Sequence, residues 1–555
     1  MKTWFKSGSP WIWLNGGAVA LCMIMVVGLI SLIVIRGFGH FWQSDVAEII
    51  INNPDGNHST VLGELVRQEV VSAAVARDSG ELIPANVELI TRYLIKQGNR
   101  DQTGRDFVWY IGLFMEPWDY PENVMVLERR EWGNFYGYPV ALLRHGELVA
   151  AAGSEVFEAQ LQQSVNRSLD LHEQIQRLEK QGIGRINTAI ERLRLQERAL
   201  TLQGVSGEAL AAEQLRMAAE QESLESEYML LRDELDELYE STEIDTLKMR
   251  MNDGSEVDIS LETIVRATLP NTMSVFARSV QYMQKLWEFL SDDPREANTE
   301  GGIFPAIFGT VTMVLVMSIM VTPFGILAAI YLREYARQGM LTRIIRISVY
   351  NLAGVPSIVY GVFGLGFFIY FLGGNIDQLF YPEALPAPTF GTPGLFWVSL
   401  TLALLTLPIV IVSTEEGLAR IPSTIRQGSL ALGATKAETL WKVIIPLATP
   451  AMMTGLILAI ARAAGEVAPL MLVGVVKLAP TLPVDASFPF IHLERKIMHL
   501  GFHIYDVGFQ SPNVEAARPL VYATALVLVM LIVILNLTAI SIRNHLRERY
   551  RSASD

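Results

Sequence analysis

The 555-residue sequence contains a single cysteine, Cys22, and only eight histidines, so no disulfide can form within the chain. It also lacks the Walker A, HExxH and GxSxG motifs of common nucleotide-binding and hydrolytic sites. His492, His499 and His503 share one segment with few carboxylates nearby, so a zinc site is the weaker interpretation and an amphipathic interfacial segment explains them as well. We therefore predict no catalytic centre, no metal and no cofactor bound by this chain.

Basic charge is also scarce over much of the chain, which has a net charge of -14. No basic patch of the kind that nucleic acids require is present, so we predict no nucleic-acid partner. Residues 36–302 hold 25 Lys and Arg against 45 Asp and Glu, and the remainder carries a small positive excess. Because half of all residues are hydrophobic, the chain is expected to be a membrane protein with one acidic soluble domain.

Six apolar segments have the length of about 20 residues that a membrane-spanning helix needs. The first is too long for a typical signal peptide and has no small-residue cleavage site after it, so we interpret it as a retained anchor that follows a short N-terminus, residues 1–15. The predicted spans are residues 16–35, 303–332, 347–372, 395–413, 451–475 and 519–541.

The distribution of Lys and Arg predicts the orientation of these spans. With a cytoplasmic N-terminus, the inner segments hold fourteen Lys and Arg, whereas the outer loop 373–394 holds none and the loop 477–517 holds three. We therefore expect both termini, including the tail 546–555, to be cytoplasmic and residues 36–302 to lie on the outer side of the membrane, with lipid as a partner.

The acidic region contains two kinds of pattern. Residues 45–152 mix helical patterns with strand-like runs, which indicates an α/β fold, and an Asn252-Asp253-Gly254 turn predicts a later β-hairpin. Residues 155–241 carry heptad-spaced apolar residues, with breaks at Gly182 and Gly184 and again at 204–207, and predict a coiled-coil hairpin of helices. We interpret the region as a structural stalk or docking surface.

The cytoplasmic loop 414–446, between the fourth and fifth predicted spans, is unusually apolar. It contains two short helical patterns, separated by a turn at Gly433 and ending at Pro422 and before Pro446. Leu432 and Trp441 lie within it, and apolar residues exposed to the cytosol usually mark a partner surface.

This loop resembles the EAA loop of ABC importer permeases, in which E-A-A is followed by a glycine and then by I-x-L-P. Gln427, Gly428 and Ser429 fall at the E-A-A positions, with Gln427 in place of Glu and Ser429 in place of Ala, while Gly433 and Pro446 have the family spacing. In that family the loop docks on a separate ATPase subunit. The resemblance implies a coupling role for Gln427, Gly428, Ser429, Leu432, Gly433, Ala434, Lys436, Trp441 and Pro446.

Three further stretches resemble the PstA permeases of phosphate importers: "GGIFPAIFGTV" with "PFGILAAIYLREYA" in 301–336, "NLAGVPSIVYGVFGLG" in 351–366, and "ARAAGEVAPLML" in 461–472. The resemblance implies a type I ABC permease core over 303–545. The fold class is then a six-span α-helical membrane protein with an inserted α/β and coiled-coil-hairpin domain. Implied partners are a PstC-like permease paralogue, a PstB-like ATPase dimer that binds ATP and Mg, and a PstS-like phosphate-binding protein.

Two features of the spans are candidates for the transport pathway. Arg462 and Glu466 stand four residues apart in the fifth predicted span, near mid-depth, and such a pair is by default functional, although a structural salt bridge is the alternative. A helix break facing the pathway, or an ordinary proline kink, is predicted at Asn351, Gly354, Pro356 and Gly361.

At the cytoplasmic end of span four, Glu415, Glu416 and Arg420 favour a solvated rim over a gate.

The overall prediction is a permease subunit of an ATP-driven phosphate importer. Alternatives are a permease for another oxyanion, such as sulfate or molybdate, and a membrane sensor with a periplasmic input domain.

Overall fold

A computed structural model of the chain describes residues 7–551, except 53–57, 79, 81–82, 85, 205–207, 243, 486 and 512–513. The outermost parts of the predicted N-terminus and tail, and most of the predicted hairpin loop 204–207, therefore lie outside the described residues. The described chain divides into two compact units. The membrane unit comprises 1–40, 291–293 and 303–555, and the sheet unit comprises 41–290 and 294–302.

The sheet unit contains two main antiparallel sheets. One has the strand order β1-β2-β3-β4; the other has the order β10-β5-β6-β8-β9, with β7 also paired to β6, and β11 and β12 form a short ribbon. Alternating buried residues such as Ile49, Leu127 and Leu247 build their cores. The strands are β1 Val46–Asn52, β2 His58–Ser72, β3 Leu89–Lys96, β4 Phe107–Ile111, β5 Met125–Arg129, β6 Phe135–Arg144, β7 Glu147–Ala151, β8 Asp245–Arg250, β9 Glu256–Ser260, β10 Ile264–Thr268, β11 Pro294–Arg295 and β12 Glu300–Gly301.

The helices of the chain up to the second span comprise the first span, α1, and six helices of the sheet unit. The predicted break at Gly182 and Gly184 is wrong, because a π-helical turn, Leu178–Ile183, joins α4 to α5 without interruption. One long helical arm therefore consists of α4 and α5, and the other consists of α6. The strands β8 and β9 pair as the predicted hairpin around Asn252. The helices are α1 Ser9–Gly39, α2 Ala73–Asp78, α3 Arg100–Thr103, α4 Phe157–Arg177, α5 Gly184–Leu202, α6 Glu208–Thr242 and α7 Val275–Ser291.

The rest of the membrane unit is helical. Four π-helical turns, at Tyr331–Tyr335, Gly364–Gly373, Leu440–Ile444 and Asp506–Gln510, extend its helices. The helices are α8 Phe304–Ile330, α9 Met340–Leu352, α10 Ser357–Phe363, α11 Gly374–Phe380, α12 Leu395–Ala419, α13 Ser423–Ala431, α14 Lys436–Thr439, α15 Ile445–Gly465, α16 Leu470–Val473, α17 Leu500–Tyr505 and α18 Val514–Arg551.

Six helices among the described residues are long and apolar enough to cross a membrane, in agreement with the fold class predicted from the sequence. Their bounds are Pro10–Gly39, Phe304–Tyr335, Ser357–Phe380, Leu395–Ala419, Lys436–Gly465 and Ala517–His545.

Two predicted spans have the wrong limits. The third does not begin at 347, because residues up to Leu352 form the separate helix α9, and Pro356 starts a new helix at Ser357. The fifth does not continue to 475, because α15 ends at Gly465 and Glu466 has an extended backbone. An apolar run reports hydropathy alone, whereas helix ends depend on backbone conformation, which explains both errors.

Charged side chains form a half-buried cluster in the sheet unit. Glu128 lies within 3.5 Å of Arg266, Lys285 and Arg295. Burial opposes ionisation of Glu128, but these three cations hold its pKa well below the ordinary value. Nearby, burial raises the pKa of Glu300 to about 7, helped by two neighbouring carboxylates and opposed chiefly by Lys96. Glu300 is therefore the strained acid of this cluster.

We expect Glu300→Gln to stabilise the sheet unit at pH 8 and to have little effect near pH 4. Because the folded pKa is about 7 and the ordinary value is 4.5, folding opposes ionisation of Glu300, and stability falls as the pH rises between these values. Removing the carboxyl should recover roughly 2 kcal/mol above pH 7. Amide hydrogen exchange of β3 in the full chain measures this change, with the exposed Glu147→Gln as control. An equal effect at both pH values would contradict the assignment.

Candidate translocation pathway and coupling surface

The helices α12 and α15 pack closely against each other near the candidate site. A Cβ atom on Gly455 would meet the Ser413 Cβ at 2.6 Å, and one on Gly417 would meet the Ala451 Cβ at 2.4 Å. These contacts show that the two helices run antiparallel, because the residue numbers fall along α15 as they rise along α12. Seven further residues along α15, about 10 Å, bring Arg462 level with Thr406, near the middle of α12.

Arg462 and Glu466 form the ion pair that their spacing predicts. The Arg462 Nε lies 3.3 Å from the Glu466 Oε1, and the two side chains are 31% and 19% exposed. Both residues were predicted to lie within the fifth span. Arg462 is in the last turn of α15, but Glu466 lies just beyond the helix. The Tyr360 phenol of α10 is near enough to interact electrostatically with Arg462.

The chain that follows Glu466 packs tightly against α10. A Cβ on Gly361 would meet the Pro469 Cα at 2.7 Å and its carbonyl oxygen at 2.9 Å. A Cβ on Gly364 would meet the Thr401 Oγ1 at 2.6 Å. Only glycine permits these approaches, so the two glycines let the non-helical backbone after Gly465 lie between helices.

The predicted break near residue 351 lies between α9 and α10. The Gly354 N–H donates to the Asn351 carbonyl at 3.0 Å, which forms a turn, and Pro356 caps the start of α10. The Tyr360 hydroxyl donates to the Leu352 carbonyl at 2.6 Å across this turn. Two separate helices meet here, so of the two predicted alternatives the structure has a helix break at residues 353–356 and not a proline kink, while its position facing the pathway stays a prediction.

Residues 474–499 cover the starts of α8 and α12. The Leu395 and Phe396 N–H groups donate to the carbonyls of Arg495 and Leu493, both at 2.8 Å. His492 pairs with Asp485 at 3.0 Å and Glu494 at 3.2 Å. Within the described part of the chain, no group of three His, Cys, Asp or Glu is arranged to hold a metal ion.

The other end of α12 carries a buried ion pair. Glu415 is buried, and its Oε1 accepts from the Arg346 Nη2 of α9 at 3.0 Å. Glu416 and Arg420 are exposed and 3.9 Å apart. The interpretation of all three residues as a solvated rim is therefore wrong for Glu415, because it ties α9 to α12.

The predicted coupling residues form an exposed helix–turn–helix. Gly433 ends the first helix, α13, with a φ of +88°, a left-handed conformation that favours glycine. The Thr435 side chain then caps α14, with Glu438 completing a capping box. Leu432 is 91% exposed, Trp441 is 63% exposed, and both lie on the surface of this element. Gln427, Gly428 and Lys436 are exposed too, whereas Ser429 and Ala434 are half-buried.

The sequence predicted that the second helical pattern of the loop ends before Pro446. In the structure it continues through Pro446. The π-helical turn Leu440–Ile444 leads directly into α15, and Pro446 stands in its first turn, where a missing N–H costs little. A single rod from Lys436 to Gly465 results. Its length is about 45 Å.

Contacts that the sequence did not reveal hold the coupling element on the bundle. The Arg426 Nη2 donates to Glu334 at 2.9 Å and to the Leu418 carbonyl at 2.8 Å. The Lys436 ammonium lies 4.6 Å from the centre of the Tyr335 ring. Glu334 and Tyr335 belong to the "YLREYA" stretch that resembles PstA permeases. No spacing rule links this stretch to a loop about 90 residues away.

Comparisons with known proteins agree with this arrangement. Residues 321–552 match the family model described as binding-protein-dependent transport system inner membrane component. The chain is 36% identical over 245 residues to the phosphate transport system permease protein PstA of Mycobacterium leprae, which covers 44% of this chain and 71% of that protein. It is 31% identical over 251 residues to PstA of Yersinia pestis, covering 45% and 75%.

A further relative and one solved structure are similar to the chain at lower identity. The probable ABC transporter permease protein YqgI of Bacillus subtilis is 27% identical over 263 residues, which are 46% of this chain and 82% of that one. The inward-facing MetNI methionine ABC transporter gives a TM-score of 0.32 at 17% identity, covering 43% of this chain and 94% of that one.

We expect Arg346→Met to destabilise the chain by on the order of 3 kcal/mol, because the change leaves Glu415 buried without its cation. Adding Glu415→Gln should recover most of that loss, and a double-mutant cycle measured by denaturation in mild detergent gives the coupling energy. The exposed pair Glu416 and Arg420 is the control and should show no measurable coupling. Equal coupling in the two pairs would contradict a structural role for Glu415.

Proposed function

This chain belongs to the inner-membrane permeases of binding-protein-dependent ABC transporters, among the PstA-type permeases, and on this premise we propose that it is a permease subunit of an ATP-driven importer of inorganic phosphate. The observation that carries the proposal is Arg462, a guanidinium on a helix end level with the middle of α12. The names of the relatives supply the anion.

The chemistry of Arg462 suits a phosphate ion. A phosphate ion carries one to two negative charges and cannot cross a hydrocarbon layer without polar partners. A guanidinium keeps its charge and donates two parallel hydrogen bonds to a phosphate. Arg462 is partly exposed, so an anion has room to reach it. The side chain therefore supplies a transient binding group within the pathway.

Glu466 gives this site a way to release the anion. It pairs with Arg462 through one contact at 3.3 Å, which leaves the other guanidinium N–H groups available. An arriving phosphate competes with Glu466, and the returning carboxylate displaces the phosphate later. A site that alternates between these two acceptors binds the anion only briefly, as transport requires.

The rod from Lys436 to Gly465 connects this site to the coupling surface. Leu432 and Trp441 lie at its cytoplasmic end, and Arg462 lies at the other. Movement of an ATPase against Leu432 and Trp441 is thus passed along a continuous helix to the Arg462–Glu466 pair. The helix break at Asn351, Gly354 and Pro356, with Gly361, provides the opposing wall.

Membership of the family implies an ATPase subunit and a substrate-binding protein as partners, and ATP hydrolysis belongs to the former. We propose a PstB-like ATPase dimer that holds ATP and Mg, a PstC-like permease paralogue and a PstS-like phosphate-binding protein. The chain would lie in a bacterial inner membrane, with both termini in the cytoplasm and residues 36–302 in the periplasm.

We expect Arg462→Gln to leave the complex assembled and to reduce uptake of labelled phosphate into proteoliposomes to background. Arg462→Lys keeps the charge but loses bidentate geometry, so it should retain partial uptake. Arg420→Gln is the matched control, because Arg420 is an exposed arginine whose loss should not change transport. Normal uptake by the assembled Arg462→Gln complex would contradict the proposal.

The same uptake assay distinguishes phosphate from other oxyanions. Unlabelled phosphate should compete with the label, whereas sulfate and molybdate in the same excess should not. Competition by either of them as effective as that of phosphate would assign the chain to another oxyanion importer.

We expect Leu432→Asp to weaken capture of the ATPase subunit at least about tenfold, because an exposed apolar anchor is replaced by a charge. Co-purification of the ATPase with the tagged permease measures the loss. Leu478→Asp is the control, since Leu478 is an exposed leucine in the segment beyond the far end of the rod. Equal losses from the two substitutions would show that Leu432 is not a docking residue.

A further inference from the structure

The helix α7 presents apolar side chains to its surroundings. Phe276, Val280, Met283 and Trp287, which we call the apolar stripe, are spaced by four, three and four residues and therefore share one helix face. Phe276 is 79% exposed, Trp287 is 70% exposed, and the other two are exposed as well. Single exposed apolar residues are ordinary, but a continuous stripe of four marks a surface that contacts something other than water.

The charged side chains of α7, together with Gln281, contact other residues of the sheet unit. Gln281 is buried beside Gln43, and the Lys285 Nζ donates to the Gln43 Oε1 at 3.1 Å. Arg278 pairs with Asp45 on the same side.

Further along the helix, Lys285 lies 3.5 Å from Glu128, and Glu288 bonds to Arg266 at 2.5 Å. An amphipathic helix of a water-soluble domain buries its apolar face and exposes its charges. In α7 the charged side chains face the sheet unit and the apolar stripe is exposed. The outer face of α7 is therefore suited to an apolar medium.

Two residues that contact or follow α7 are adjacent to membrane-spanning helices. Phe41 comes two residues after the end of α1, and its ring packs against those of Tyr282 and Phe289, at 6.2 and 5.1 Å between centroids. On the other side, the Phe304 N–H at the start of α8 donates to the Asp292 carbonyl, one residue beyond α7, at 3.2 Å. Phe41, which packs on α7, is thus close in sequence to the end of one span, and Asp292, which follows α7, is hydrogen-bonded to the start of another.

We propose that α7 lies in the membrane interface, with the apolar stripe in the boundary between lipid headgroups and acyl chains. Interfacial helices bury such a face by roughly 5–10 Å. Trp42, Tyr282 and Trp287 are the aromatic residues that favour this depth. Lipid is the occupant because Phe41, which packs on α7, follows the end of α1, and Asp292, which follows α7, is bonded to the start of α8. The cations of α7 face inward, so binding depends on apolar contact and not on anionic lipid.

Site-directed fluorescence in liposomes tests the proposal with the full chain. Cys22→Ser removes the single cysteine, and Met283→Cys then carries a nitrobenzoxadiazole label on the apolar stripe. Met229→Cys is the matched control, because Met229 is also an exposed methionine, and the exposed acids Glu225 and Asp233 lie one turn to either side of it. The liposomes contain phosphatidylcholine with a nitroxide on the upper acyl chain.

We expect the nitroxide lipid to quench the label at position 283 strongly and aqueous iodide to leave it unchanged, with the reverse at position 229. Replacing part of the phosphatidylcholine by phosphatidylglycerol should not alter the result. Quenching of position 283 by iodide would show a water-facing helix and overturn the proposal. Protection from both quenchers would show that a protein covers the stripe, which would overturn it equally.

Discussion

The need to satisfy backbone polar groups inside a membrane is the constraint on which the rest of this structure depends. The helix α15 ends at Gly465, level with a point inside α12, and residues 466–469 that follow it are not helical. Such backbone survives at membrane depth only when protein surrounds it. Gly361 provides that enclosure on one side, and Gly474, with a φ of +154°, approaches Gly394 closely on another. The last turn of the helix then holds Arg462, with Glu466 just beyond it.

The coupling element and the charged pair belong to one mechanical unit. The rod that carries Arg462 begins at Lys436, and the turn at Gly433 folds α13 back against it. Arg426 fixes this element to the second span through Glu334. In the proposed function, a displacement at the coupling surface would reach the ion pair along this one long helix.

The number of spans and the turn at Gly433 could both be predicted from the sequence. A long apolar run predicts a membrane span, and a glycine between two helical patterns predicts a turn. The sequence was insufficient where two outcomes share one pattern. The apolar run around Gly465 continues past the helix end, so hydropathy could not locate that end. Glu415 looked like a rim residue because its partner, Arg346, is distant in sequence. The period of α7 identifies an amphipathic helix but cannot show that the charged face is the inner one.

The most direct measurement is the position of phosphate in the assembled complex, determined by cryo-electron microscopy after trapping with substrate and an ATPase variant that binds but does not hydrolyse ATP. We expect density for the anion within hydrogen-bonding distance of the Arg462 guanidinium, with Glu466 turned away from it. Phosphate bound elsewhere in the pathway, with the Arg462–Glu466 pair still closed, would show that the pair only supports the helices.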